Sequence, residues 1–159
     1  MARREASNVL NRAGKLFETA SMGLLDVDGP DANRRLPGLH TLIVFGRAVT
    51  FVLQNLRTID EAAFDDWYEP YQSEMKADPL LRFFNRLRTD LEKEGRADAY
   101  TVTFVIGDRS ETRLHLYSSP SDHLGESIRD PSAYGLSQLY LRYIRRMLMD
   151  AHKRFGNKR

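Results

Sequence analysis

The segment from residue 78 to residue 95 reads DPLLRFFNRLRTDLEKEG and carries the clearest helix signals in the chain. Asp78 is a favoured N-cap residue, and Pro79 suits the first helical position because an N–H there has no helical partner. Gly95 suits the left-handed residue that ends many helices. One face in between is apolar at helical spacing: Leu80, Leu81, Phe84, Leu87 and Leu91. The segment is therefore predicted to be an amphipathic helix.

Apolar residues at helical spacing predict four further helices, at about 3–21, 39–57, 59–77 and 131–155. Two proline–glycine breaks predict that residues 23–38 form a loop. Pro70 predicts a kink, because it lacks the N–H that bonds back one turn. Residues 59–77 carry an aromatic stripe whose spacing favours a core over a base-stacking surface: Phe64, Trp67, Tyr68, Tyr71 and Met75.

The spacing of the apolar residues changes after Gly95. Residues 99–106 (AYTVTFVI) alternate in polarity, residues 113–118 (RLHLYS) form a plausible partner strand, and GDRSET joins them. This pattern predicts a β-hairpin with a long turn. The fold class is therefore mainly α: a bundle of about five helices with a β-hairpin inserted before the last helix. We expect one domain over residues 1–159, with a helical core at 3–95, the hairpin at 99–118 and a basic helix at 131–155.

Composition excludes several kinds of site. The chain has no cysteine, so disulfides and thiolate chemistry are absent. The four histidines are scattered and the acidic pairs point apart on helices, so we expect no metal and no other cofactor. The longest apolar segment is interrupted by His40, Arg47 and Gln54, which favours a buried helix over a membrane span. No signal-type segment begins the chain, so a soluble, cytoplasmic protein is predicted.

The net charge is only +2, but the end of the chain is basic. From Arg142 to Arg159 there are seven Lys or Arg residues against one Asp. Such a helix suits phosphate contact, and Arg142 and Arg145 are candidate binding residues. Cations near a helix C-terminus also complement its dipole, so a purely structural role explains them as well.

The polar face of residues 78–95 has two interpretations as well. Arg86, Arg88 and Asp90 form a candidate binding surface. Arg88 with Glu92, and Arg86 with Asp90, are also spaced four apart, so both pairs suit ordinary side-chain ion pairing on a solvated face.

Residues Phe64–Gly95, FDDWYEPYQSEMKADPLLRFFNRLRTDLEKEG, resemble part of the HEPN superfamily (higher eukaryotes and prokaryotes nucleotide-binding domains). They look most like bacterial HEPN-like proteins in which a tryptophan helix leads through Asp-Pro to an arginine-containing helix. The resemblance implies a helical bundle that pairs as a homodimer or binds another protein or RNA. It also implies a bacterial or phage-related setting in stress or defence.

The ribonuclease motif of that superfamily joins an arginine, which holds the scissile phosphate, to a histidine further along, which transfers the proton. Carried onto this chain, Arg88 takes the arginine position, and Lys93 stands where the histidine is expected. A second match pairs Arg145 or Arg146 with His152, seven and six residues further on. The resemblance therefore implies a non-catalytic binding module, with RNA as a possible partner. The alternative is a metal-independent ribonuclease, a toxin or defence effector that uses the pair on the last helix.

Overall fold

The computed structural model describes the backbone of residues 2–156 and the side chains of residues 5–156. It confirms the mainly α fold and shows five helices, with a β-hairpin before the last one. A second, very small hairpin follows the first. The elements are α1 (Ala2–Val27), α2 (Ala32–Gln54), α3 (Glu61–Ala77), α4 (Pro79–Glu94), β1 (Ala99–Ile106), β2 (Arg109–Leu116), β3 (Asp122–His123), β4 (Glu126–Ser127) and α5 (Ala133–Ala151).

The predicted loop at 23–38 is wrong, because most of it is helical. Helix α1 continues to Val27, and α2 begins at Ala32 with Asp31 as its N-cap. Pro37 lies in the second turn of α2, where it removes only one backbone hydrogen bond. The Pro37-Gly38 pair marks a helix crossing: a Cβ on Gly23 would lie 2.5 Å from the Gly38 carbonyl oxygen. Glycine at both positions therefore lets α1 and α2 approach closely.

Helix α4 forms as predicted. The Asp78 carboxylate accepts the Leu81 N–H at 3.0 Å, Pro79 opens the helix, and Gly95 ends it with a φ of 74°. Helix α3 places Phe64, Trp67 and Tyr71 in the core, as the aromatic stripe predicts. The helix runs without interruption through Pro70, whose side chain is exposed.

The hairpin of β1 and β2 is regular and longer than predicted. Ala99 lies opposite Leu116 and Ile106 opposite Arg109, so the turn contains only Gly107 and Asp108. The predicted long turn is wrong, because Gly107 adopts a φ of 60° at the first position of a two-residue loop, where glycine is favoured. Most of the hairpin stands clear of the bundle, and Val105 and Ile106 at its tip are exposed.

Helix α5 begins two residues later than the Asp130-Pro131 pair suggests. Ser132 is its N-cap and accepts the Gly135 N–H, whereas Asp130 accepts the Ser132 N–H and pairs with Arg113. The helix ends at Ala151, and a π-helical turn, His152–Gly156, returns Phe155 to the core. The Phe155 and Trp67 rings are perpendicular, with a centroid distance of 5.6 Å. Lys158 and Arg159 of the predicted basic tail lie outside the described residues.

Within the described part, one segment, Ala32–Thr58, is long and apolar enough to span a membrane by length and composition. Its most apolar window is 44% buried inside the bundle. This segment comprises α2 and the 3₁₀ turn Asn55–Thr58, and it supplies fully buried core residues such as Leu39, Leu42 and Leu53. Core packing uses part of its apolar character, while Val44 and Phe51 are exposed.

Candidate functional site: a cationic cleft between four helices

A cleft of about 370 Å³ opens where α2, α3, α4 and α5 meet. Its walls carry five cationic side chains and, among the described residues, no carboxylate. We call this concave surface the cationic cleft. The cations are Arg47, Lys76, Arg82, Arg86 and Arg88. A concentration of one charge in a concave, partly desolvated surface strengthens its attraction for anions.

Two arginines at the cleft come from different helices. Arg47 of α2 and Arg88 of α4 both lie over the Phe51 ring, with their Cζ atoms 4.3 and 6.0 Å from its centroid. The Nε atom of each is buried and has no hydrogen-bond partner among the described residues. A buried N–H without an acceptor is costly, so each of these guanidinium groups keeps an unmet hydrogen-bond donor.

The remaining guanidinium contacts hold these arginines in place. An Arg47 terminal nitrogen (Nη1) donates to the Thr50 hydroxyl at 3.2 Å. The equivalent Arg88 nitrogen lies 3.0 Å from Glu92, which confirms the pair that the spacing of four residues suggested. The Arg88 side chain is 23% exposed, so Glu92 neutralises it only from the outer side. Arg88 is thus fixed by one ion pair while its Nε lies in the interior.

Tyr140 of α5 forms part of the cleft lining. Its ring stacks on Phe84 at a centroid distance of 4.3 Å, and a Cβ on Gly46 would lie 2.9 Å from its Cε1 atom. Glycine at position 46 therefore makes room for the tyrosine. Burial raises the pKa of Tyr140 to about 12, although the nearby Arg47 and Arg88 charges oppose the rise. The hydroxyl is therefore protonated at neutral pH.

The structure distributes the other predicted site residues over several surfaces. Arg86 lines the cleft and lies near the Phe83 ring rather than in an ion pair with Asp90. Asp90 and Lys93 are exposed on α4 and do not line the cleft. Arg142 and Arg145 are exposed on α5. Of the predicted residues, only Arg86 and Arg88 meet in the cationic cleft.

The second predicted pair does not form a common site among the described residues. Arg146 is ion-paired with Glu74, and its Cζ lies 4.9 Å from the centroid of the Tyr143 ring. His152 is exposed and lines a shallow depression with Ser7 and Asn11 of α1. Among the described residues, no hydrogen bond or ion pair joins His152 to Arg145 or Arg146. The residues that α5 contributes to the cleft are instead aromatic and apolar: Tyr140, Tyr143 and Ile144.

Sequence reasoning missed Arg47 as a candidate. A signal was present, because Arg47 is the only charged residue between Arg35 and Arg57 in an otherwise apolar helix. A lone charged side chain on a largely buried helix needs a polar environment. The sequence did not reveal that this environment lies beside Arg88, which is forty-one residues further along the chain.

Two histidines carry structural contacts. His40 Nε2 accepts the Ala97 N–H at 3.1 Å, and burial lowers the pKa of His40. His123 Nδ1 lies 2.9 Å from the Asp78 carboxylate. No group of three or more histidine or carboxylate side chains among the described residues is placed to hold a metal ion.

The fold and the cleft together define the class of protein. It is a mainly α bundle with a small hairpin and a cleft lined by cationic side chains. A model of the family described as bacteriophage lambda protein ea47 matches residues 25–106, just over half of the chain. The chain belongs to this family. No curated protein matches it, and neither does any solved structure.

The matched segment contains all five cations of the cleft, because it spans α2, α3, α4 and β1. The aromatic residues that α5 adds to the lining, Tyr140 and Tyr143, lie outside that segment. The five cations, with Tyr68 and Phe84, therefore lie within the matched segment, whereas the part of the lining that α5 supplies lies outside it.

Proposed function

We propose that this chain is a non-catalytic binding module, of HEPN-like build, which holds single-stranded RNA by its phosphates in the cationic cleft. The observation that carries the proposal is the pair Arg47 and Arg88, each with a buried Nε that has no acceptor among the described residues. Guanidinium groups match phosphate oxygens in geometry and keep their charge at any physiological pH. The HEPN resemblance of residues 64–95 supports the same class of partner and a setting in bacterial or phage stress or defence.

A single strand suits the cleft better than a duplex does. The volume of about 370 Å³ is that of a small-ligand pocket, so it accepts one or two nucleotide units. Tyr68, which is half-buried, lines the same walls as the arginines. Cationic grooves with aromatic side chains bind single strands because phosphates meet the charges while bases meet the rings.

The lack of a histidine in the cleft supports binding without cleavage. No histidine lines the cationic cleft among the described residues. Lys93, at the position where a ribonuclease histidine is expected, is exposed and outside the cleft. Tyr140 is a poor base at neutral pH, because burial raises its pKa to about 12.

Binding is tested by fluorescence anisotropy, with a labelled RNA of about ten nucleotides titrated at several salt concentrations. We expect Arg88→Ala and Arg47→Ala each to weaken binding about tenfold, since each removes a charge-assisted contact. The slope of log affinity against log salt should fall by about 0.7 for each phosphate contact removed. Arg145→Ala is the matched control: Arg145 is exposed, lies outside the cleft and forms no ion pair in the described structure.

Equal losses for Arg145→Ala and Arg88→Ala would show that charge alone, and not the cleft, attracts RNA. Incubation of the same RNA with the protein tests the ribonuclease alternative. Cleavage that disappears in His152→Ala would overturn the non-catalytic assignment. The expected homodimer remains a prediction, and sedimentation of the free protein and of the RNA complex measures it.

A further inference from the structure

A second polar site lies around His123, at the N-terminal end of α4. The two-residue loop Leu124–Gly125 joins β3 to β4, with both residues at positive φ, 52° and 79°. Leucine rarely adopts this conformation. It is held here because the Leu124 N–H donates to the Asp78 carboxylate. The adjacent His123 is thereby fixed against the same carboxylate, with its side chain only 10% exposed.

The hydrogen bonds of Asp78 determine which nitrogen of His123 carries a proton. Burial alone would raise the pKa of Asp78, but bonds from the Leu124 N–H, His123 and the Leu81 N–H outweigh it and hold the pKa below its ordinary value. Asp78 is therefore an ionised acceptor. The 2.9 Å contact requires His123 Nδ1 to be the donor, and in the tautomer that carries its single proton there, Nε2 is an acceptor.

His123 lines a groove on the outer side of α5. We define this His123 groove by the residues shared by its two adjoining hollows: His123, Glu126, Leu139 and Arg142. Arg142 is exposed and forms no ion pair with any described residue. The groove is therefore lined by a fixed imidazole, an exposed carboxylate at Glu126 and a cation without an ion pair at Arg142.

The His123 groove adjoins the cationic cleft. Tyr143 lines both the cleft and the inner hollow of the groove. Its hydroxyl donates to the Tyr71 carbonyl at 3.2 Å, and Arg146 covers its ring, so the residue between the two sites is held in place. Tyr143 is thus a buried lining residue that the cleft and the groove share.

We propose that the His123 groove recognises ribose: His123 Nε2 accepts a hydrogen bond from a 2′-hydroxyl while Arg142 contacts the neighbouring phosphate. The chain would then distinguish RNA from DNA, because only RNA carries that donor. This inference rests on the proposed function, in which the cationic cleft holds the rest of the strand. Within an RNA strand each ribose places a hydroxyl donor beside a phosphate anion, which is the pairing that His123 and Arg142 would accept.

The test compares three labelled single strands of equal length and matched sequence: RNA, DNA and 2′-fluoro RNA. The 2′-fluoro strand lacks the hydroxyl proton, so it should bind like DNA. For the wild-type protein we expect RNA to bind about fivefold more tightly than the other two, as one net hydrogen bond allows. Equal affinity for RNA and the 2′-fluoro strand would overturn the proposal.

Variants separate recognition from folding. In His123→Asn the amide N–H replaces the Nδ1 donor to Asp78, but no atom replaces Nε2. We expect this variant to lose the RNA preference while DNA affinity is unchanged. Arg142→Ala should weaken binding of all three strands alike. A preference that survives in His123→Asn contradicts the assignment of Nε2.

If the proposed function is wrong, the variants give a different result from the one expected when only the groove assignment is wrong. If the cleft does not bind RNA, Arg88→Ala will leave the affinity for every strand unchanged. If only the groove assignment is wrong, Arg88→Ala will still weaken binding of all three strands.

A second experiment uses only the wild-type protein. It measures the affinity of a set of RNAs, each of which carries a single 2′-deoxy substitution at a different position. We expect one position to account for the fivefold preference, and a uniform response along the strand would contradict the groove.

Discussion

Tyr140 shows how a single side chain joins the core to the cleft. Its ring is stacked on Phe84 and packed against Gly46, so one end belongs to the hydrophobic interior. Arg47 and Arg88 are close enough to its phenol to act on its pKa. The hydroxyl forms no hydrogen bond with another described residue. Its burial therefore favours the neutral phenol, and the charged phenolate is disfavoured in the folded state.

This predicts a specific loss of stability in alkali. The folded pKa of Tyr140, about 12, exceeds the unfolded value of 10.0, so its contribution to stability is fully present below pH 10. That contribution is lost as pH rises from 10 through 12, because the unfolded state releases its proton first. Urea unfolding of wild type and Tyr140→Phe, followed by circular dichroism, measures it. Tyr140→Phe should lose about 2 kcal/mol less than wild type over this interval.

The same comparison below pH 10 serves as the control. Little difference in unfolding free energy is expected there, since the hydroxyl has no partner to lose. Parallel alkaline losses in both proteins would mean that other tyrosines, such as Tyr71 and Tyr143, dominate the titration. Burial raises the pKa of both of these as well.

Among the elements, the start of α4 combines a helix cap with a tertiary anchor. Asp31 caps α2 and Asp78 caps α4, and each accepts a backbone N–H of the first turn. Asp31 is exposed, whereas Asp78 is buried and also binds His123 and the Leu124 N–H. The same residue type at the same cap position therefore has different consequences.

Asp31→Ala should destabilise the fold by about 1 kcal/mol, the usual cost of a lost N-cap. Asp78→Ala should cost about 3 kcal/mol, because two further buried donors lose their acceptor. Chemical denaturation of both variants measures the difference. Equal losses would show that the β3–β4 loop stays in place without Asp78.

Local signals explain which elements could be predicted. Helix α4 could be predicted from the sequence alone, because all of its signals lie within residues 78–95. They are the Asp-Pro start, the apolar face and Gly95. The Pro37-Gly38 pair misled because its reason is tertiary: the glycine faces Gly23 of another helix. The β3–β4 loop depends on Asp78, more than forty residues earlier, and carries no strand pattern of its own.

For the molecule as a whole, the packing of α1 against α2 is the most extensive contact between elements. Sequence could not predict the cationic cleft for a related reason, because its walls come from four helices that only tertiary packing brings together. Arg88 could be predicted as a candidate binding residue, because it lies on the polar face of an amphipathic helix. Arg47 and Tyr140 acquire their roles only when α2 and α5 are placed beside it.

Substitution of two glycines of α1 tests this packing, and one of the two substitutions serves as the control. Gly23→Ala would place its Cβ 2.5 Å from the Gly38 carbonyl oxygen and 2.9 Å from the Leu42 nitrogen, both backbone atoms. We expect a loss of about 1–3 kcal/mol in the free energy of unfolding. Gly14→Ala meets nothing within 4 Å, so it should stabilise α1 by about 0.5–1 kcal/mol. Urea denaturation measures both, and a similar gain for the two variants would rule out a tight crossing.

The contact between Trp67 and Phe155 has a practical consequence. Trp67 is the only tryptophan of the chain, and it lies in the core rather than at the cationic cleft. Its fluorescence emission therefore comes from an apolar environment and should shift to longer wavelength when the C-terminal turn detaches. Because Trp67 itself does not line the cleft, its intrinsic emission provides a label-free record of C-terminal fraying.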